Sequence, residues 1–381
     1  MIIENFEVYG LAGSRSFQAN FEDDVNILTG KNGSGKTTIL KLLWYVVSGN
    51  IEHAVREIPF NKFILQTNIY RISIIKRGQK VDTITFEAED EEVDITDEID
   101  EDGDVFRTAI QTANDTVKNF GRSVFFPTFR RIEGGFSLAT VPGPRAYPSR
   151  PGVRSGGPLE EALVELSRRL SVGGHIFVSS ISTVDIVGLL MRQYTEVAEQ
   201  SNALQQETSL KIIEKIKEYK QDNTTVNLPG DPGAIQDANA VIDNIRNMIE
   251  SLDRKREEKL APLNAVRVLV EKLFRHAGIV LNSRISFGDA ANAVNSDLLS
   301  AGEKQMLSFI CYNAFYRDSV FFIDEPELSL HVDWQRQLFP ILQSQGTGNQ
   351  FIIATHSPFI YSKYPDKEIL LDINRGDEGW D

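Results

Sequence analysis

A chain of 381 residues with 41% apolar and 25% charged residues can bury a large core and hold two or three domains of a globular protein. It has no run near the ~20 apolar residues of a bilayer span, and a single cysteine, Cys311, excludes an internal disulfide framework. A reducing cytoplasm is the expected address. The net charge of −14 is concentrated: residues 87–104, EAEDEEVDITDEIDEDGD, hold 12 acids and no base, which leaves −2 for everything else. Nucleic-acid contact is therefore neither indicated nor excluded.

In chain order, MIIENFEVYG reads as a strand from Met1 onward, without the basic-then-apolar pattern of a signal peptide. The segment Val25–Trp44 then contains G-x-x-x-x-G-K-[ST] as Gly30, Lys31, Asn32, Gly33, Ser34, Gly35, Lys36 and Thr37, followed by Thr38. An apolar strand precedes it and a helical pattern (Ile39, Leu40, Leu43) follows, the context a phosphate-binding loop requires. Its glycines let backbone N–H groups turn toward phosphates, Lys36 reaches the β/γ oxygens, and the Thr37 hydroxyl is a Mg²⁺ ligand. The acidic run 87–104 reads as a solvated loop; its sharper reading is a docking tail for a basic partner.

SVFFPTFRRIEGG is an apolar strand ending at Pro127 and followed by Arg130, Arg131 and Glu133. Residues 142–157, PGPRAYPSRPGVRSGG, read as a loop carrying Arg145, Arg150 and Arg154, either a linker or a contact for an anionic partner. PLEEALVELSRRL follows as an amphipathic helix. From about 183 to 220 and again from 235 to 277 the chain reads helical, broken by DNTTVNLPGDPG at 222–233. Apolar residues at Ile242, Ile245, Ile249 and Leu252, resuming at Leu260, Leu263, Val266, Val270 and Leu273, suggest an antiparallel hairpin whose arms span about 60 Å. His53, His175 and His276 read as structural.

LSAGEKQMLSFI at 299–310 is a second small-residue loop opening a helix, a place that favours a phosphate. SVFFIDEPELSLH is a continuous apolar strand ending in Asp324 and Glu325, as a central parallel strand does. Its carboxyl end is where open α/β sheets place ligands. Asp324 would hold Mg²⁺ through water, and Glu325, pointing to the other side, would polarise the attacking water. NQFIIATHSP repeats the geometry with His356 at the strand end, positioned to report on a γ-phosphate. The last strand, EILLDINRGDEGWD, brings no further carboxylate cluster.

The four motifs GKNGSGKT, LSAGEKQ, FFIDEPE and ATHSP, in that order, resemble the ABC-type ATPase heads of the RecF, SMC, Rad50 and OLD branch. The resemblance is direct over residues 1–48 and 295–360. It implies an α/β fold, an ABC-type P-loop ATPase head of two lobes, with the short hairpin inserted. The implied divisions are residues 1–140 and 278–381 for the head, 141–182 for a loop with second-lobe elements and 183–277 for the hairpin. It also implies Mg²⁺-dependent ATP hydrolysis at composite sites, where Ser300, Gly302 and Glu303 meet the nucleotide held by another copy. The partners implied are a homodimer at minimum, with higher oligomers allowed, and no membrane.

Ala301 stands where transporter signatures have glycine, Val332 where relatives often have proline, and no Q-loop glutamine is found. The F-P-x-x-R-R-I-E segment in its place resembles ATPases of bacterial defence modules, and Arg130 or Arg131 would meet a γ-phosphate, a DNA phosphate or a salt-bridge partner between lobes. The chain looks most like the ATPase subunit of two-gene anti-phage systems of the PARIS or Septu type. That likeness implies a separate nuclease effector and a DNA or phage-protein trigger. The alternative is a RecF- or Rad50-like repair ATPase that clamps DNA in its ATP state.

Overall fold

A computed structural model describes residues 1–13, 15–78, 80–89, 91–100, 104–128, 130–132, 158–181, 183–222, 232–273 and 299–371. The loop 142–157, Glu133, His276 and the final segment after Leu371 lie outside these residues. The chain divides into two compact units, residues 1–185 with 296–381, and residues 186–295.

The first unit opens with β1 (Ile3–Leu11) and β2 (Arg15–Asn20), followed by β3 (Val25–Thr29), α1 (Lys36–Val47) and α2 (Ile51–Glu57). Then come β4 (Lys62–Thr67), β5 (Tyr70–Arg77), β6 (Lys80–Ala88), β7 (Glu91–Ile95), β8 (Glu98–Ile99), β9 (Val105–Arg107) and α3 (Ala109–Val117). Six of these strands form an antiparallel sheet in the order β2-β1-β4-β5-β6-β7. Strict alternation in β5, with Ile72 and Ile74 fully buried between exposed or half-buried neighbours, is the pattern of a sheet with one face in the core.

The acidic segment departs from the expected loop. Its described residues finish β6 and form edge strand β7 and the short β8. Pairing across the hairpin sets Ile95 opposite Ile84 and Val93 opposite Phe86, and burial of Ile95 against the core overrides the weak strand propensity of its acidic neighbours.

The chain continues through β10 (Ser123–Phe126), β11 (Arg131–Ile132), α4 (Pro158–Leu170), β12 (His175–Phe177), β13 (Ser180–Ile181), α5 (Thr183–Asp222) and α6 (Pro232–Leu273). It ends with α7 (Ala301–Phe315), β14 (Val320–Asp324), α8 (Val332–Gln343), β15 (Gln350–Ala354), α9 (Pro358–Tyr361) and β16 (Glu368–Leu370). The second sheet is parallel throughout, in the order β12-β10-β14-β15-β3-β16. Strands β3, β10, β14 and β15 are buried at every residue, which explains their largely apolar sequences. Helix α1 packs on this sheet, where Trp44 stacks on Phe125 with ring centroids 5.3 Å apart.

Gln350 joins the two sheets. Its side-chain oxygen accepts from the Ile3 N–H at 2.8 Å and its NH₂ donates to the Ile3 carbonyl at 2.7 Å. A buried amide satisfied on both ends continues the ladder where the strands do not meet.

In the second unit, α5 and α6 run antiparallel: Lys259 Nζ donates to Gln200 Oε1 at 2.6 Å, and Lys255 faces Glu207. Partners that advance along one helix as they retreat along the other define the hairpin. No described helix is long and apolar enough to cross a membrane.

Candidate active site

Strands β10, β14, β15 and β3 lie side by side and in register, and their C-terminal ends share one sheet edge. Each delivers a polar group at or just past its last residue: Thr128 after β10, Asp324 and Glu325 at β14, His356 after β15, and the glycine loop after β3. This edge is where parallel sheets place ligands.

The glycine loop reaches α1 through Gly30 at φ 142° and Gly35 at φ 102°, backbone conformations that only glycine adopts without strain. A Cβ on Gly30 would lie 2.9 Å from the Leu371 carbonyl and 3.0 Å from Ser34 Oγ. Gly35 caps α1 without any side-chain hydrogen bond, so the first-turn N–H groups are available to an anion. Within the same cradle the Ser34 hydroxyl is buried with no partner. Lys31, Asn32 and Gly33 form its exposed lip, and Thr38 is half-buried beside Thr37. Arg15 reaches in from β2 to donate to the Gly33 carbonyl at 3.4 Å.

Lys36 Nζ donates to the Gly30 carbonyl at 3.0 Å and meets His356 Nε2 at 2.7 Å. Desolvation lowers the pKa of both groups, and for His356 the Lys36 charge lowers it further. Two cations would repel at this separation, so the imidazole is neutral and its Nε2 accepts.

The two oxygens of the Asp324 carboxylate take hydroxyls from opposite sides. Thr37 donates to Oδ1 at 3.0 Å and Thr128 donates to Oδ2. Burial pushes the Asp324 pKa up, opposed by these two hydrogen bonds and by Arg130. Glu325 leaves the strand at φ 50°, its N–H held by the Ala354 carbonyl at 2.8 Å. Its carboxylate lies 3.5 Å from His356 Nε2. Desolvation, with the adjacent Glu327 and Asp324, pushes its pKa up to about 8. Glu327 in turn accepts from the backbone N–H of His356 at 2.7 Å.

Arg130 is placed differently from either expectation. It is 8% exposed, and its guanidinium donates to the carbonyls of Pro127, Asp324 and Glu325, without a salt bridge to a carboxylate among the described residues. The Arg131 side chain lies outside the described residues.

The second glycine loop also has a local explanation. Ser300 is the N-cap of α7: its Oγ accepts from the Glu303 N–H at 3.3 Å, and Glu303 Oε2 accepts from the Ser300 N–H at 2.8 Å. This reciprocal capping box closes the helix start. Gly302 is buried, and a Cβ there would fall 2.4 Å from the Ser329 carbonyl. Glycine at 302 is thus required by the chain's own packing. Ser300 remains exposed.

ATP and Mg²⁺ fit this donor set: a positive-φ backbone cradle with an orphaned hydroxyl, a lysine over it, and a threonine hydroxyl bonded to a buried carboxylate. Thr37 and Asp324 would hold the metal. Sequence reasoning missed Thr128 and Glu327 as members of the site. The strand-end rule that found His356 points to Thr128 equally well, two residues past β10.

The fold and site together define an α/β P-loop ATPase head. Two family models match the chain: one described as "AAA domain" over residues 1–132, the other as "AAA domain, putative AbiEii toxin, Type IV TA system" over residues 192–362. Both models describe AAA-type domains and support ATPase activity generally, with the glycine loop in one matched region and the strand-end carboxylates in the other. Among solved structures it is similar to the Smc head domain with an extended coiled coil bound to the C-terminal domain of ScpA, derived from Pyrococcus furiosus. That likeness has 12% identity and a TM-score of 0.38, and covers 95% of this chain and 91% of that one. It is also similar to the SmcHead bound to the C-winged helix domain of ScpA, at 12% identity and a TM-score of 0.40 over the same shares.

Proposed function

We propose that this chain binds and hydrolyses ATP in an ABC-type head and acts as a nucleotide-controlled sensor or scaffold in anti-phage defence, holding and releasing a separate nuclease effector. The observation that carries the ATPase reading is the convergence of Lys36, Thr37, Asp324, Glu325 and His356 at one edge of the parallel sheet. Lys36 and the α1 N-terminus bind and orient the phosphates. Mg²⁺, when bound, supplies charge neutralisation between phosphate oxygens. Glu325, once ionised, takes the proton of the attacking water, and His356 orients the γ-phosphate as a neutral imidazole.

Composite sites across a head-to-tail dimer belong to this reading: exposed Ser300, at the start of α7 in one copy, would meet ATP held by the other. On this reading ATP joins two copies and hydrolysis releases them, with the hairpin as a protein–protein element. The defence role rests on the resemblance of the motifs, and the toxin–antitoxin name of the model matched over 192–362 accords with it.

Turnover of wild type against Glu325→Gln tests the catalytic assignment, and equal rates would sink it. Tagged Glu325→Gln, recovered from its host with ATP and Mg²⁺ or with ADP, tests the role. A stoichiometric nuclease-like protein, retained or released according to nucleotide, supports the sensor. Recovery of duplex DNA with recombination proteins and no effector turns the reading to a repair ATPase.

A further inference from the structure

The turn at the end of β14 reads Asp324-Glu325-Pro326-Glu327, and it is under backbone strain: Glu325 is left-handed at φ 50°, a conformation unfavourable for a non-glycine residue. Such a turn persists only if its surroundings determine it. Here three consecutive carbonyls are each held by a buried side chain from another part of the chain. Arg130 Nη1 donates to the Asp324 carbonyl at 2.8 Å and Nη2 to the Glu325 carbonyl at 3.0 Å. Gln305 Nε2 donates to the Pro326 carbonyl at 2.8 Å. Gln305 is fully buried.

The two clamps are connected. Gln305 and Phe309 sit one turn apart on the same face of α7, and the Arg130 guanidinium lies 5.9 Å from the Phe309 ring centroid. Gln305 Oε1 and Arg130 Nε are both buried without a hydrogen-bond partner, a spare acceptor and a spare donor in one packed region. At the start of the same helix Gly302 abuts the Ser329 carbonyl, five residues past Asp324. Helix α7 therefore touches the segment 324–329 at Pro326 and at Ser329. A buried cation spent on carbonyls adds little net stability, whereas it fixes direction with a rigid fork.

We propose that Gln305 and Arg130 are positioning residues that lock the catalytic turn against α7 and so set the pose of Glu325. This rests on the reading of Glu325 as the base that activates water. Loss of either clamp frees the turn, and Glu325 loses its pose. Nucleotide binding at Lys36 does not depend on this link, since neither clamp touches the glycine loop.

The test compares wild type with Gln305→Met, which keeps length and volume without the donor, and with Arg130→Lys, which keeps the charge but not the fork. Turnover, equilibrium binding of a fluorescent ATP analogue, thermal stability and hydrogen exchange of a peptide spanning 324–331 are measured on the full chain. Expected are a fall in kcat of about tenfold or more, with KM and analogue affinity within about threefold. Faster exchange across 324–331 is expected in both variants, and Gln305→Asn, which retains an amide, should lie between. If kcat per folded molecule stays within about twofold and only thermal stability drops, the clamps are merely structural and the proposal is overturned. Should wild type itself show no turnover, the ATPase reading fails separately. Exchange then decides the inference: ATP must protect 324–331 in wild type but not in Gln305→Met, and equal protection overturns it.

Discussion

Lys36 Nζ and His356 Nε2 lie 2.7 Å apart, from residues 320 positions apart in the chain, and only a neutral imidazole can accept that contact. Burial and the Lys36 charge both hold the His356 pKa below the ordinary imidazole value. In Lys36→Met the second cause disappears, so the His356 pKa should rise toward its ordinary value. NMR titration of the ring resonances would show this, and an unchanged or lower pKa in the variant would refute the contact.

The paired hydroxyls on Asp324 make a second prediction. Thr128→Val leaves Oδ2 of a buried carboxylate without its donor, a loss of about 1–3 kcal/mol, while Thr128→Ser keeps it. Chemical denaturation should separate the two variants by that amount. Mn²⁺ affinity measured with an ATP analogue should weaken in Thr128→Val and recover in Thr128→Ser. Identical behaviour of the two variants would remove Thr128 from the site.

Gly302→Ala separates packing in one chain from contact between chains. Its Cβ would fall 2.4 Å from the Ser329 carbonyl, and overpacking of that kind costs about 1–3 kcal/mol. The isolated protein should therefore lose stability without any nucleotide. A variant as stable as wild type would leave glycine at 302 needed only for a bound partner.

His175 predicts a pH dependence of folding. It is fully buried with Nδ1 2.8 Å from Ser123 Oγ, and desolvation lowers its pKa from 6.5 to about 4. The unfolded chain then binds more protons than the folded one between those values, so stability falls as pH drops through that window. The loss amounts to about 3 kcal/mol by linkage. His175→Gln, which cannot titrate, should flatten the dependence of Tm on pH between 7 and 4; an equal slope would show that other groups set it.

The glycine loop, the apolar parallel strands, the two long helices and the strand-end residues Asp324, Glu325 and His356 were legible in the sequence. Each is written in consecutive residues or in a regular period, because backbone conformation and burial on both faces are local demands. The acidic hairpin was not legible: its strand character comes from Ile84 and Phe86 across the ladder, a partner that composition cannot show. Nor could spacing reveal that Thr128 bonds Asp324 across 196 positions, that Arg130 is spent on carbonyls, or that Gly302 answers to Ser329. Those contacts have no period. They exist because the parallel sheet brings four strand ends to one edge and packs α7 against the turn between them, and that arrangement is decided only when the whole chain has folded.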